Sequence, residues 1–190
     1  GGKEYLDAAA EAIAYENTVF DKEYSNWPDY RIDRRKRESS NLHLSLGNHK
    51  KFMNGYCSGA PGVGLSRLGL LKSAERNPDL AKTLDRDLKR SEHFVKEVST
   101  EIRDQLCCGR ISGIDFLIEK AVRLGDEEAM AFAKEKMSLL ILEKRVRGHY
   151  NLINSDGHYR KNPTLFQGTS GIGYEMLRIA EPEIIKSILI

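Results

Sequence analysis

Long hydrophobic runs are absent. No stretch of the 190 residues approaches the roughly 18 to 20 uninterrupted apolar positions that a spanning helix needs. The first segment, GGKEYLDAAAEAIAYENTVF, carries acids through its apolar part, unlike a signal peptide, and a cytoplasmic location is the resulting expectation. Cysteine is scarce: three residues, an odd number, fit a disulfide framework badly, so thiol or metal chemistry is the better expectation. Charge of one sign is lacking too. A net +2 provides little field toward nucleic acid or an anionic membrane, and no nucleic-acid partner is expected. The exception is the basic run Arg31, Arg34, Arg35, Lys36 and Arg37, read as a solvated face in preference to a docking patch for an acidic peptide or phosphate. Only five prolines and no low-complexity tract leave one soluble globular domain as the expected form.

Period-two alternation of useful length is also missing, which excludes a sheet protein and makes the class all-α. Helical spacing is what the chain has instead. Leu6, Ala9, Ala10, Ile13 and Ala14 recur at threes and fours within a helix over 5–20. After the polar loop Asn26-Trp27-Pro28-Asp29, no regular structure is expected to about Asn54, with Leu42 to Leu46 the one candidate. Further helices are expected over 61–74, in one or two pieces over 79–105, over 111–123, over 126–147 and over 171–180. Those after glycine turns are short and apolar, whereas the intervening ones are long and charged. Buried helices tolerate apolar residues all round and covering helices need one stripe, so the alternation predicts an inner and an outer ring.

A glycine turn repeats. Cys57-Ser58-Gly59-Ala60-Pro61-Gly62 is echoed by Cys108-Gly109-Arg110-Ile111-Ser112-Gly113 and by Gln167-Gly168-Thr169-Ser170-Gly171. Gly59 to Gly109 is 50 residues and Gly109 to Gly168 is 59, a period suited to stacked or circular helical hairpins. The repeat puts Cys57 beside the pair Cys107-Cys108 at one end of the fold, before neighbouring inner helices. Helix N-termini there are expected to lower the thiol pKa values. Three thiolates with one open position are the donor set of a catalytic zinc, Zn2+. Inert buried cysteines and a redox pair remain open beside it, because adjacent cysteines are an unusual ligand spacing. His43, His49, His93, His149 and His158 offer no second cluster.

These motifs, with the ending Asn162-Pro163-Thr164-Leu165-Phe166-Gln167-Gly168-Thr169-Ser170-Gly171-Ile172-Gly173-Tyr174 and then Leu177-Arg178, resemble the LanC-like lanthionine cyclases. The version most similar is the C-terminal cyclase domain of class II lanthipeptide synthetases (LanM). Tyr15-Glu16, Asn26 to Asp29 and Arg31 extend the resemblance over nearly the whole chain. It implies an α/α toroid around a zinc that activates peptide cysteine thiols for addition to dehydroalanine or dehydrobutyrine. It also implies metal ligands Cys57, Cys107 and Cys108, with Cys108 in the place of the usual His, as in the three-cysteine, Cys-Cys-Gly subgroup. The implied partners are a lanthipeptide precursor peptide and the remaining part of the synthetase.

The departures from the family pattern are specific. Ser58 stands where other members carry His or Tyr, and Met53 where some carry Arg. The family's His-Gly motif, with its acid/base His, would lie before Tyr5. Residues 1–190 are accordingly expected to be the C-terminal portion of a cyclase domain, a partial toroid. The alternatives are a non-catalytic helical module that binds a peptide or partner, and a small thiol redox protein using Cys107-Cys108.

Overall fold

A computed structural model of the chain describes residues 2–30, 51–99, 101, 103–152 and 161–190. Its frame consists of α1 (Lys3–Thr18), α2 (Ala60–Ala74), α3 (Pro78–His93), α4 (Arg110–Leu124), α5 (Glu127–Arg147) and α6 (Thr169–Ala180), with a π turn (Phe94–Val98) continuing α3. Strand is confined to β1 (Pro28–Asp29), antiparallel to β2 (Lys51–Phe52), with Pro28 opposite Phe52. The described residues are therefore all-α in class. The basic run 31–37, the candidate segment 42–46, His43, His49, His158 and Ile102 lie outside the described residues. No helix among the described residues is long and apolar enough to cross a membrane.

The two kinds of helix read from the sequence occupy different surroundings. Every residue of α4 from Ile111 to Lys120 is buried, as an element with neighbours on all sides must be. It packs against α2, α5 and α6, while α2 packs against α3. Gly64 sets the approach of α2 to α4, for a methyl group there would strike the ring of Phe116. The covering helix α3 instead buries a stripe, Leu80, Leu84 and Leu88, with Asp87 and Ser91.

The covering helices also carry their own caps. Asn77 accepts from the Leu80 N–H (3.1 Å) to start α3, and Asp126 from the Ala129 N–H (2.9 Å) to start α5. Gly125 and Gly148, both left-handed, stop α4 and α5.

Two expectations need correction. The charged helix expected to reach Gln105 ends at His93, passes through the π turn and becomes extended at Ser99. The reason is local demand: the backbone of Arg103 and Gln105 folds beneath Gly109, a placement that helix would forbid. In addition, α6 buries only Gly171, Ile172, Glu175 and Arg178, and Leu177 on its other side is 57% exposed. It is a one-sided helix, unlike α4.

The contact of α6 with α4 is ionic at its centre. Arg178, 1% exposed at its side chain, pairs with Asp115, Glu175 (3.1 Å) and Glu119 (2.7 Å), and Ser187 donates to Asp115 (3.1 Å). Three carboxyl groups surround one guanidinium out of water, so one of them resists ionisation. Burial, then the charge of Asp115, pushes Glu175 up to about 9; burial raises Asp115 to about 6. An acid with a raised folded pKa holds its proton in the folded state longer than in the unfolded one. Its contribution is complete below the unfolded value and is lost as pH rises through the folded value. Stability is therefore expected to fall between about pH 4.5 and 9, and Glu175→Gln to flatten that fall, as urea unfolding at pH 5, 7 and 9 will measure.

Candidate metal centre

The three helices that follow glycine turns begin alike. Gly59, Gly109 and Gly168 cap α2, α4 and α6 without a side-chain hydrogen bond. A Cβ at each would strike the carbonyl oxygen six residues earlier, that of Met53, Arg103 and Asn162 respectively. Close backbone approach requires glycine at these three positions. The turns are stitched to one another as well. The Tyr56 N–H donates to the Cys107 carbonyl (2.8 Å), and the Cys107 N–H donates to the Phe166 carbonyl (2.9 Å). Gly55 lies against the first of these bonds, since a Cβ there would meet the Cys107 carbonyl oxygen.

This stitching brings the sulfurs together across 50 residues of chain. Cys57 Sγ is 3.1 Å from Cys108 Sγ, and Cys108 Sγ is 3.2 Å from Cys107 Sγ. All three lie within 4.8 Å of one another, the one such group of potential metal ligands among the described residues. Cys57 is exposed and the other two are half-buried, all as free thiols.

Two buried side chains hold the turns in place. Asn26 receives the Ala60 N–H at the start of α2 (2.8 Å) and the Trp27 N–H (2.8 Å), and donates to the Met53 carbonyl (3.1 Å). It supplies the cap that Gly59 lacks. Asp104 receives the Asn151 N–H (2.7 Å) and the Arg110 guanidinium (2.9 Å from Nε), and Arg110 reaches on to Glu143 (2.8 Å). Arg103, between these parts, is gripped by Glu101 through Nε (2.8 Å), Nη2 (2.7 Å) and its backbone N–H (2.9 Å).

The electrostatics correct one expectation. Burial, ahead of all other causes, raises the Cys107 pKa, and burial with the neighbouring Cys57 and Cys107 sulfurs pushes Cys108 well above the ordinary thiol range. The helix N-termini do not lower these values, because desolvation and mutual repulsion among three sulfurs outweigh them. A soft divalent cation is what such a group accommodates: its charge offsets the repulsion and favours the deprotonated ligands. Tetrahedral zinc with three thiolates sets its sulfurs about 3.8 Å apart, a small expansion of the present triangle.

All three cysteines singled out from the sequence thus converge, and neither described histidine joins them. His93 ends α3, and His149 Nδ1 contacts the Tyr150 carbonyl (3.0 Å). Asn26, Asp104 and the Arg103–Glu101 pair were not singled out from the sequence as site-forming. The signal present for Asn26 was its place in the Asn-Trp-Pro-Asp loop; a side chain capping a helix 34 residues away leaves no local pattern.

The family model described as Lanthionine synthetase C-like protein matches residues 1–190. No curated protein and no solved structure matches the chain.

Thiol reactivity tests the electrostatics directly. With metal removed by chelator, brief iodoacetamide treatment at pH 8 is expected to label exposed Cys57 first, with Cys107 and Cys108 at least about tenfold slower, since only the thiolate reacts. Peptide mapping by mass spectrometry gives the order.

Proposed function

Because the chain belongs to the lanthionine synthetase C-like family, we propose that Cys57, Cys107 and Cys108 hold a zinc ion and serve lanthionine and methyllanthionine ring formation. In that reaction the sulfur of a peptide cysteine bonds to the β-carbon of dehydroalanine or dehydrobutyrine. The carbon–carbon double bond breaks, and the α-carbon takes up a proton. The observation that carries the reading is the convergence of three sulfurs from two turns 50 residues apart. Zinc, when bound, supplies the Lewis acidity that keeps a thiol deprotonated near neutral pH. The chain's own thiolates make the donor set electron-rich, which favours a nucleophilic substrate sulfur over a strongly acidified one.

The finer assignments follow from the motifs. Cys107-Cys108-Gly109 supports the three-cysteine type, and the resemblance to LanM supports a place in the C-terminal part of a class II synthetase cyclase domain, in antibiotic biosynthesis and in the cytoplasm. The succession α2, α4, α6, with α3 and α5 packed on α2 and α4, supports a partial toroid. A lanthipeptide precursor and the remaining part of the synthetase are the partners of this reading. Leu139, Leu142 and Val146 on α5, at 50%, 56% and 81% exposure, favour a covering partner and are the one observation for a non-catalytic binding module. The raised thiol pKa values weigh against the redox alternative, which needs a ready thiolate.

Elemental analysis of the purified chain is expected to give about one zinc per chain, and Cys57→Ala or Cys108→Ala to reduce it by at least about tenfold. A folded chain without zinc removes the catalytic reading.

A further inference from the structure

The surface beside the sulfur-bearing turns is hollow. A cavity of 270 Å³ lies against both of them: Asn54 and Pro61, on either side of Cys57 in the chain, line it together with Gly109 and Arg110, directly after Cys108. Its other wall is α5, through Lys136, Leu139 and Glu143. A second, more open depression of 480 Å³ follows the same helix along Leu142, Val146 and Arg147, and shares Arg110 and Glu143 with the first. The two make one groove from Lys136 to Val146, about 15 Å of helix at 1.5 Å per residue.

The charges of the groove pair off, with one exception. Arg110 is held by Asp104 and Glu143, and Glu143 also takes Arg147. Glu101, on the cavity wall, is taken by Arg103. Lys136 is half-buried, lines the cavity, and makes no ion pair or hydrogen bond among the described residues; the Phe132 ring centre is 6.0 Å from its ammonium. Burial foremost lowers its pKa, and the charges of Glu135 and Glu97 do not offset that loss. An ammonium drawn out of water without a counter-ion is unfavourable, and an incoming carboxylate relieves it.

Beyond Lys136 the groove turns apolar. Leu139, Leu142 and Val146 lie on the same side of α5, at 50%, 56% and 81% exposure. The cavity has room for side chains and far too little for a helix about 10 Å across. An extended segment at about 3.3 Å per residue covers the groove with four or five residues, and its alternate side chains face the floor.

We propose that this groove is a recognition site for an extended peptide, which places an acidic side chain in the cavity on Lys136 and apolar side chains over Leu139, Leu142 and Val146. The inference rests on the ring-forming reading above, whose substrate is a peptide, and names a feature by which that peptide is held beside the cysteine turns.

The test is fluorescence polarisation with the intact chain and the fluorescein-labelled peptide amide LSLSESLSL, in which an acid is followed by apolar residues at alternate positions in either direction, beside its LSLSQSLSL counterpart. EDTA is present throughout, so the readout is independent of metal. The parent is expected to bind the acidic peptide about tenfold more tightly than the neutral one, the worth of one hydrogen bond between charged groups. Lys136→Gln is expected to lose that preference and keep the affinity for LSLSQSLSL, which also shows the variant to be folded, and Lys136→Arg to stay within about threefold of the parent. Leu142→Ser is expected to weaken both peptides alike, by about threefold or more. Equal binding of the two peptides by the parent overturns the proposal, as does an unchanged preference in Lys136→Gln. Absence of binding overturns it too, and a dimer in sedimentation that Leu142→Ser dissociates then assigns the face to a second copy of the chain. A preference for the acid in a chain that takes up no zinc keeps the peptide site and removes the zinc reading; zinc without the preference does the reverse.

Discussion

Two backbone hydrogen bonds, Tyr56 N–H to the Cys107 carbonyl and Cys107 N–H to the Phe166 carbonyl, are what the candidate site depends on. Each joins the turn before one helix to the turn before another. Remove them, and the cysteines belong to separate segments of chain with nothing to set their distance. The bonds require the turns to lie flat against one another, and the turns can do so only because Gly59, Gly109 and Gly168 allow each to fold under its own helix. Packing of α4 against α2 and α6 then fixes the helices from which the turns project.

Polar groups in the interior serve the fold in several places. Three of them tie the fold together: Asn26 at the start of α2, Asp104 between Asn151 and Arg110, and Arg178 among three carboxyl groups. Each would cost free energy if left unpaired in the core, and each ties together segments distant in sequence. At the cysteine cluster the balance is left unfinished. Three sulfurs crowd together, and the ionised forms of Cys107 and Cys108 are disfavoured by burial and by neighbouring sulfurs. The stability of the surroundings keeps that unfavourable cluster assembled, because the turns cannot relax apart without breaking buried hydrogen bonds.

Much of this was legible in the sequence because it is periodic. The all-α class, the three glycine turns and the grouping of the three cysteines follow from spacing and residue type, and the described residues show the helices, the turns and the convergence of the sulfurs. What escaped was long-range or one-off. The end of α3 at His93 depends on the needs of Gly109, sixteen residues later, and no propensity within the helix announces it. The one-sided burial of α6 depends on what packs against it. The role of Glu101 is to orient a neighbour's guanidinium, which in sequence is indistinguishable from an ordinary surface acid. The thiol pKa values ran opposite to expectation because a helix terminus is a local feature, while desolvation is set by everything around it.

The turns have one further consequence. Counted back from the capping glycine, Cys57, Cys107 and Phe166 occupy the same position, as do Ser58, Cys108 and Gln167. The fold therefore repeats one turn as three sockets, of which the first holds one sulfur, the second two and the third an aromatic ring. Geometry is common property of the sockets, and chemistry is loaded into them two residues at a time. The number of sulfurs, the charge and the polarity can thus change by substitution at a few positions while the scaffold stays still.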